Sequence, residues 1–276
     1  MEVPSTIDAG SGYIMYAKTV QACVLKVLMD SLSSLLVDTT LQFSADGVKL
    51  IELDNTHIVM IHVRLDARKF EEFYCETPVN IGVNIGNLHT LLKTVNSSDT
   101  LTLFLSNDDR NRLGIRVENE EKKTSTEFKL NLLDLDAHEY TIPPVAFSAV
   151  TVLPSTYFQK IVRDMSYLSD RVEIKNIGRQ LILSCSGNFC QQETVLRDTD
   201  EPDVPDDEGE EERDPTVINQ GVFSLKYLVM FTKCSSLNPN ISLFIRSEFP
   251  CICMYDMSLG SVRLCLSPFT TDEDQY

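Results

Sequence analysis

The side chains best suited to metal binding, base catalysis or nucleophilic attack are four histidines and eight cysteines. His57 and His62 stand five apart, not at the i, i+4 spacing that sets two imidazoles on one face of a zinc-binding helix, and the residues around them read as strand. Together with His89 and His138 they are expected to be structural or exposed. Asp134 and Asp136 could share a cation, but no third ligand is near them, so a solvated segment is expected. Cys23, Cys75, Cys185, Cys190, Cys234, Cys251, Cys253 and Cys265 include no C-x-x-C pair. Most lie among strand-like apolar residues, as in CICMY, where a reduced, buried thiol behaves as a small hydrophobe. Gly82 and Gly86, in NIGVNIGN, lack the lysine and the spacing of a phosphate loop, and no G-x-S-x-G elbow occurs. The expectation is therefore a non-enzyme with no cofactor and no metal.

The basic residues suggest chemistry of another kind. Lys26, Lys93, Lys160 with Arg163, and Lys226 with Lys233 each fall on the polar side of one of four helix candidates. Lys160 and Arg163 are three apart and share a face; Lys226 and Lys233 are two turns apart and also share one. Amphipathic helices ordinarily carry lysines on their wet side, so this pattern alone reaches only modestly basic helix faces. The net charge of -17 argues against nucleic-acid binding. The charge is uneven, however. Residues 198–214 hold eleven Asp and Glu against Arg213 alone, and Asp272, Glu273 and Asp274 add three more acids near the end.

The elements that must hold these bases follow from periodicity. Val20, Val24, Val27, Leu28, Leu32 and Leu35 predict a helix over about 18–34. LQFS and VKLIEL, joined by Ala45-Asp46-Gly47, predict a hairpin, and THIVMIHVRL another strand. Leu88, Leu91, Leu92 and Val95 predict a helix over 86–95, followed by the strands TLTLFLS, RLGIRVE and EFKLNL. LDLDAHEYTIPP (133–144) is acidic, then apolar, then doubly proline, and predicts a linker. The pattern then restarts. FQKIVRDMSYL resembles VLKVLMDSL with Lys160 matched to Lys26, an offset of 134, and FSLKYLVMFTK resembles VNIGNLHTLLK with Lys233 matched to Lys93, an offset of 140. A duplicated domain is expected. Residues 1–13 read as a flexible leader, 14–132 and 145–269 as the two copies, 198–215 as a disordered acidic insertion, and 270–276 as an acidic tail. No run of 18 apolar residues predicts a membrane span, and MEVPSTIDAGSGY lacks the basic start and apolar core of a secretory signal, so an intracellular protein with no membrane partner is expected.

GVKLIELDNTHIVMI (47–61), LNLLDLDAHEYTIP (130–143), FSLKYLVMFTK (223–233) and VRLCLSPF (262–269) resemble, in order and spacing, the proliferating cell nuclear antigen family of eukaryotic-type sliding clamps. The resemblance runs from about Ile14 to Phe269. It implies an α+β fold with two similar DNA-clamp domains per chain. Three chains would close into a pseudo-six-fold ring, sheets outside and helices lining the hole. Lys26, Lys93, Lys160, Arg163, Lys226 and Lys233 would then face double-stranded DNA, meeting phosphate without reading sequence. Leu53, His57, Ile58, Tyr140, Ile142, Pro143, Pro250, Leu266, Ser267, Pro268 and Phe269 would form a groove for client proteins carrying Q-x-x-[ILM]-x-x-[FY]-[FY]. Clients of that class include DNA polymerase, flap nuclease, ligase and clamp loader. Phe128, Leu130 and Leu132 would lie on the edge strand that pairs with the next subunit, opposite 188–197. Cys265 stands where the family often has an aromatic residue, Tyr140 where it often has an aliphatic one, and Gly178-Arg179 where many members have a ubiquitin-accepting lysine. Nuclear localisation, or a viral replication compartment, is implied. The rival readings are a subunit of a heterotrimeric checkpoint-type clamp, a monomeric processivity factor, an acidic chaperone of basic proteins and a metal-dependent nuclease.

Overall fold

Lys18 and Thr19 begin the predicted first helix, yet both lie in a strand. β1 (Tyr13–Thr19) is hydrogen-bonded on both sides, and the Lys18 ammonium pairs with Glu72 at 2.9 Å. The Thr19 hydroxyl accepts from the Gln21 amide, and helix α1 starts only at Ala22 (Ala22–Leu32). Tyr13 is thus the first residue of a strand rather than the last of a leader. The structure, a computed structural model, describes residues 12–135, 140, 147, 149–197 and 217–269. The proposed leader up to residue 11, the acidic insertion and the tail lie outside the described residues.

After α1 come β2 (Asp38–Ser44), β3 (Gly47–Leu53), β4 (Val59–Asp66), β5 (Glu72–Cys75), β6 (Val79–Asn84), α2 (Ile85–Leu92), β7 (Thr100–Ser106), β8 (Arg112–Asn119) and β9 (Thr124–Asn131). The predicted β2–β3 hairpin forms with Ser44 opposite Gly47. Gly47 has φ +134, and a Cβ there would strike the Leu65 carbonyl, so glycine is required on both counts. Asn84 starts α2 by accepting from the Asn87 amide at 2.9 Å. The second series is β10 (Ala149–Pro154), α3 (Ser155–Ser166), β11 (Arg171–Ile177), β12 (Gln180–Ser186), β13 (Gln191–Leu196), β14 (Ile218–Ser224), α4 (Leu225–Phe231), β15 (Asn240–Ile245), β16 (Cys251–Met257) and β17 (Gly260–Leu266).

The chain divides into two compact units; the second takes in Leu53–Ile61, and the first takes in Met257–Ser261. Strand order repeats between them. The runs β1-β7-β8-β9 and β4-β3-β2-β6 of the first series correspond to β10-β15-β16-β17 and β13-β12-β11-β14 of the second. Strand β5, added beside β1, has no counterpart among the described residues. This is the duplication expected from the restarted sequence pattern, now visible as topology.

Each unit buries its apolar side chains between its helices and strands. In the first, Leu25, Leu28, Met29 and Leu32 of α1 and Leu88 and Leu92 of α2 meet Leu41, Phe43, Leu50 and Leu101, around a void of about 40 Å³. In the second, Phe158, Ile161, Val162 and Met165 of α3, Leu225, Leu228 and Phe231 of α4, and Tyr255 of β16 are all buried. The eight cysteines are unbridged. The neighbouring Cys251 thiol and full burial push Cys253 well above the ordinary thiol range, and burial lifts Cys265 to about 11. Neither is a ready nucleophile.

Candidate functional site

The apolar stripe of α1 differs from the predicted one. Its buried residues are Ala22, Leu25, Leu28, Met29, Leu32 and the polar Ser31, whereas Val24 and Val27 are half-exposed. Apolar residues occupy more than half the helix circumference, so periodicity alone selects the wrong edge of a wide stripe. The buried residues of α3 are Ser155, Phe158, Ile161, Val162 and Met165. Each lies 133 residues beyond an α1 counterpart (155 − 22 = 133), and only Ser31, which corresponds to the exposed Asp164, has no buried match. The true offset is therefore 133, not 134. Lys26 corresponds to Gln159, and Lys160 to Val27.

A shared hydrogen bond supports that register. The Lys26 ammonium donates to the carbonyls of Lys93 (2.9 Å) and Val95 (2.8 Å), where α2 runs out. The Gln159 amide donates to the Thr232 carbonyl (3.1 Å) at the end of α4. Both side chains clasp a helix pair by satisfying C-terminal carbonyls. Lys26 is thus engaged within its own unit rather than projecting beside the other bases. His89 reaches Asp30 across the same pair at 3.2 Å. Lys93, Lys160, Arg163, Lys226 and Lys233 are all exposed, and the last four stand on α3, α4 and the turn after it.

The proposed groove is built around a loop held by Asp54. This carboxylate is 5 % exposed. Its Oδ1 accepts from the amides of Ile58 (3.0 Å) and Val59 (2.8 Å). Its Oδ2 accepts from the Thr56 hydroxyl (2.5 Å) and the Tyr227 hydroxyl (3.3 Å), and the two hydroxyls are 2.9 Å apart. Burial alone would raise its pKa, but the Thr56 hydroxyl and the loop amides outweigh it and hold the group below the usual range. His57 consequently sits at φ +57, and Ile58 is left 38 % exposed. The Ile58 carbonyl accepts from the Ser267 amide (3.0 Å), which joins the loop to the segment after β17. Phe269 donates its amide to the Val222 carbonyl (2.9 Å), and its ring lies 4.2 Å beneath the Arg171 guanidinium. β16 and β17 are joined by the tight turn Ser258–Leu259, so Pro250 lies at the end of the hairpin where β17 finishes.

Leu53, His57, Ile58, Pro250, Ser267, Pro268 and Phe269 all have exposed or half-exposed surface. Leu266 is 0 % exposed and belongs to the core, because alternation along β17 turns it inward with Val262 and Leu264. Tyr140 is half-buried, and Ile142 and Pro143 lie outside the described residues. Sequence reasoning missed Asp54, Thr56 and Tyr227. The available signals were an Asp-x-Thr turn and a tyrosine inside an apolar helix, whose hydroxyl must find a partner.

Among the described residues β5, β6, β9, β10, β13 and β14 are the edge strands of their sheets, and the two expected to meet a neighbouring subunit are among them. β9 pairs only with β8, and β13 only with β12. Along β9 and just past it, Phe128, Leu130 and Leu132 are half-buried while Glu127, Lys129 and Asn131 are exposed, the alternation expected of a one-sided strand. Among the described residues, no three His, Cys, Asp or Glu side chains gather as a metal site, and no helix is long and apolar enough to cross a membrane.

Comparison with known proteins decides the family. Residues 14–140 match the proliferating cell nuclear antigen N-terminal domain, and residues 141–269 match the C-terminal domain. The chain belongs to the proliferating cell nuclear antigen family. A probable DNA polymerase sliding clamp of Paramecium bursaria Chlorella virus 1 is 28% identical over 260 residues, covering 92% of this chain and 97% of the relative. Proliferating cell nuclear antigen of Dictyostelium discoideum is 28% identical over 255 residues, covering 91% and 98%. The crystal structure of the Entamoeba histolytica protein superposes with a TM-score of 0.80 over 94% of this chain and all of that one, at 23% identity. The repeated strand order is thus the clamp fold, with two clamp domains in one chain.

Proposed function

We propose that this sliding clamp, a DNA polymerase processivity factor, works as a closed homotrimer threaded by duplex DNA. The observation that carries the reading is the cationic outward face of α3 and α4 in a chain of net charge -17. Lys160, Arg163, Lys226 and Lys233 stand there together, joined in the first unit by Lys93. Such side chains hold a phosphate backbone without sequence preference, which suits a ring that must slide.

The free edges of β9 and β13 support the trimer. An exposed edge of that kind is a liability unless paired, and head-to-tail pairing of β9 with the next chain's β13 closes a ring and removes both. The groove of Leu53, His57, Ile58, Pro250, Ser267, Pro268 and Phe269, extended by Tyr140, Ile142 and Pro143, receives the short motif of polymerase, flap nuclease, ligase and clamp loader. Aromatic anchors of a short helical turn fill such an apolar recess. The clamp itself performs no bond chemistry, and its site of action is the nucleus or a viral replication compartment.

Light scattering across dilution tests the assembly. One chain is 31.1 kDa, and a mass about three times larger that persists on dilution is expected. A mass of one chain overturns the stable homotrimer and points to the monomeric or heterotrimeric form. Stimulation of a polymerase on a primed circular template, with loader and ATP supplied, tests the processivity role.

A further inference from the structure

The two helix pairs share a skeleton but differ sharply in what they turn outward. With the offset of 133, the outward residues Cys23, Val24, Val27 and Asp30 of α1 correspond to Thr156, Tyr157, Lys160 and Arg163 of α3. Valine replaces lysine, and an aspartate replaces an arginine. With the offset of 140, Lys93 corresponds to Lys233, but Lys226 corresponds to Gly86. Lys26, the one base on α1, donates to two carbonyls at the end of α2. Its counterpart Gln159 does the same work without charge.

The second unit adds two exposed tyrosines to its four bases. Tyr157 is 43% exposed and Tyr167 is 76% exposed. Residues 157, 160, 163 and 167 follow one another at helical spacing, so the hydroxyls flank the cations along one stripe. Asp164 is the only acid on the outward side of α3. On α1 the outward positions carry valine, cysteine and Asp30, which pairs with His89 at 3.2 Å, so a phosphate there would meet a carboxylate and no lysine or arginine.

We infer that duplex DNA is held by the α3–α4 face of each chain and that α1 makes no phosphate contact. Lys26 is a positioning residue that fastens α1 to α2. The inference rests on the clamp reading above and divides its DNA surface unequally between the two units.

The test is duplex binding by the full-length chain, followed by anisotropy of a fluorescent 20-base-pair DNA across a salt series. Each phosphate neutralised contributes about 0.9 to the slope of log K against log salt. Lys160→Ala with Arg163→Ala is expected to lower that slope by about 2 for each chain that touches the duplex. Lys26→Gln copies the group found at Gln159, keeps a donor for the carbonyls, and is expected to leave the slope unchanged. Val27→Lys, which copies Lys160, is expected to raise it by about 1 for each chain that touches the duplex. Thermal melts and scattering mass confirm that each variant is folded and assembled. A wild-type chain whose duplex binding falls as much with Lys26→Gln as with the α3 pair overturns the inference and leaves the clamp reading intact. A wild-type chain with no salt-dependent duplex binding overturns the clamp reading itself, and the inference with it.

Discussion

Replacing Asp54 with alanine removes the hub of the groove loop, and its cost can be worked bond by bond. The Val59 amide is buried and loses its carboxylate acceptor, which costs about 1–3 kcal/mol for an unsatisfied buried donor. The Ile58 amide and the Thr56 hydroxyl belong to exposed residues, so water replaces the acceptor at little cost. The Tyr227 hydroxyl keeps Thr56 as a partner and loses roughly 1 kcal/mol. A destabilisation of about 2–4 kcal/mol follows. The loop consequence is larger than the fold consequence. His57 occupies left-handed backbone that a residue with a Cβ adopts only when its surroundings require it, and without the Asp54 carboxylate the bend at 54–58 keeps only its backbone bonds, Asp54 amide to Val59 carbonyl, His57 amide to Asp54 carbonyl and Ser267 amide to Ile58 carbonyl. Affinity for a client-motif peptide, measured by calorimetry, should fall at least tenfold at a temperature where urea titration shows the variant still folded. Unchanged peptide affinity together with an unchanged urea midpoint would refute the hub.

Two further predictions follow from burial. Asp99 accepts from the Asn119 side-chain amide at 2.6 Å and the Asn96 backbone amide at 2.8 Å, and these bonds depress its pKa, as the Thr56 hydroxyl and loop amides do for Asp54. A depressed carboxylate stabilises the fold above its unfolded pKa, near 3.9, and that stability is lost as pH falls through the lower folded value. Urea midpoints should therefore fall below about pH 4, and less steeply in Asp99→Asn; an equal pH slope in the variant would exclude this carboxylate. Leu266→Ala should cost about 2–5 kcal/mol through a core cavity, whereas Pro268→Ala should spare the urea midpoint and weaken peptide binding. The reverse pattern would mean that Leu266 is the groove residue after all.

Much of the skeleton was legible because its signals are local and redundant. Ala45-Asp46-Gly47 closes a hairpin, Leu88 and Leu92 mark one face of α2, and the TLTLFLS alternation is β7. The short strand Glu72–Cys75 was not legible, since four residues carry no periodicity and pairing with β1 alone makes them a strand. The start of α1 was misread because YIMYAKT is as apolar as the helix after it, and only two-sided pairing shows it to be strand. The bases of α3, α4 and the turn after it are exposed. Lys26 was not separable from them, because a lysine directed at the end of a neighbouring helix and one directed at solvent share the same local sequence. The difference lies 67 residues away, at the Lys93 carbonyl.

The one-to-one match of α1 and α3 also describes how such a molecule can change. Five buried positions are shared by the two helices, and their residues remain small or apolar in both copies. The outward positions have parted as far as side chains can, from Val27 to Lys160 and from Asp30 to Arg163. Surface exchanges of this kind usually change stability by less than about 0.5 kcal/mol. A twofold-repeated scaffold therefore holds a spare copy of every outward position. One copy can keep its outward side chains while the other drifts or is recruited for a new surface, and neither route disturbs the folding of the unit.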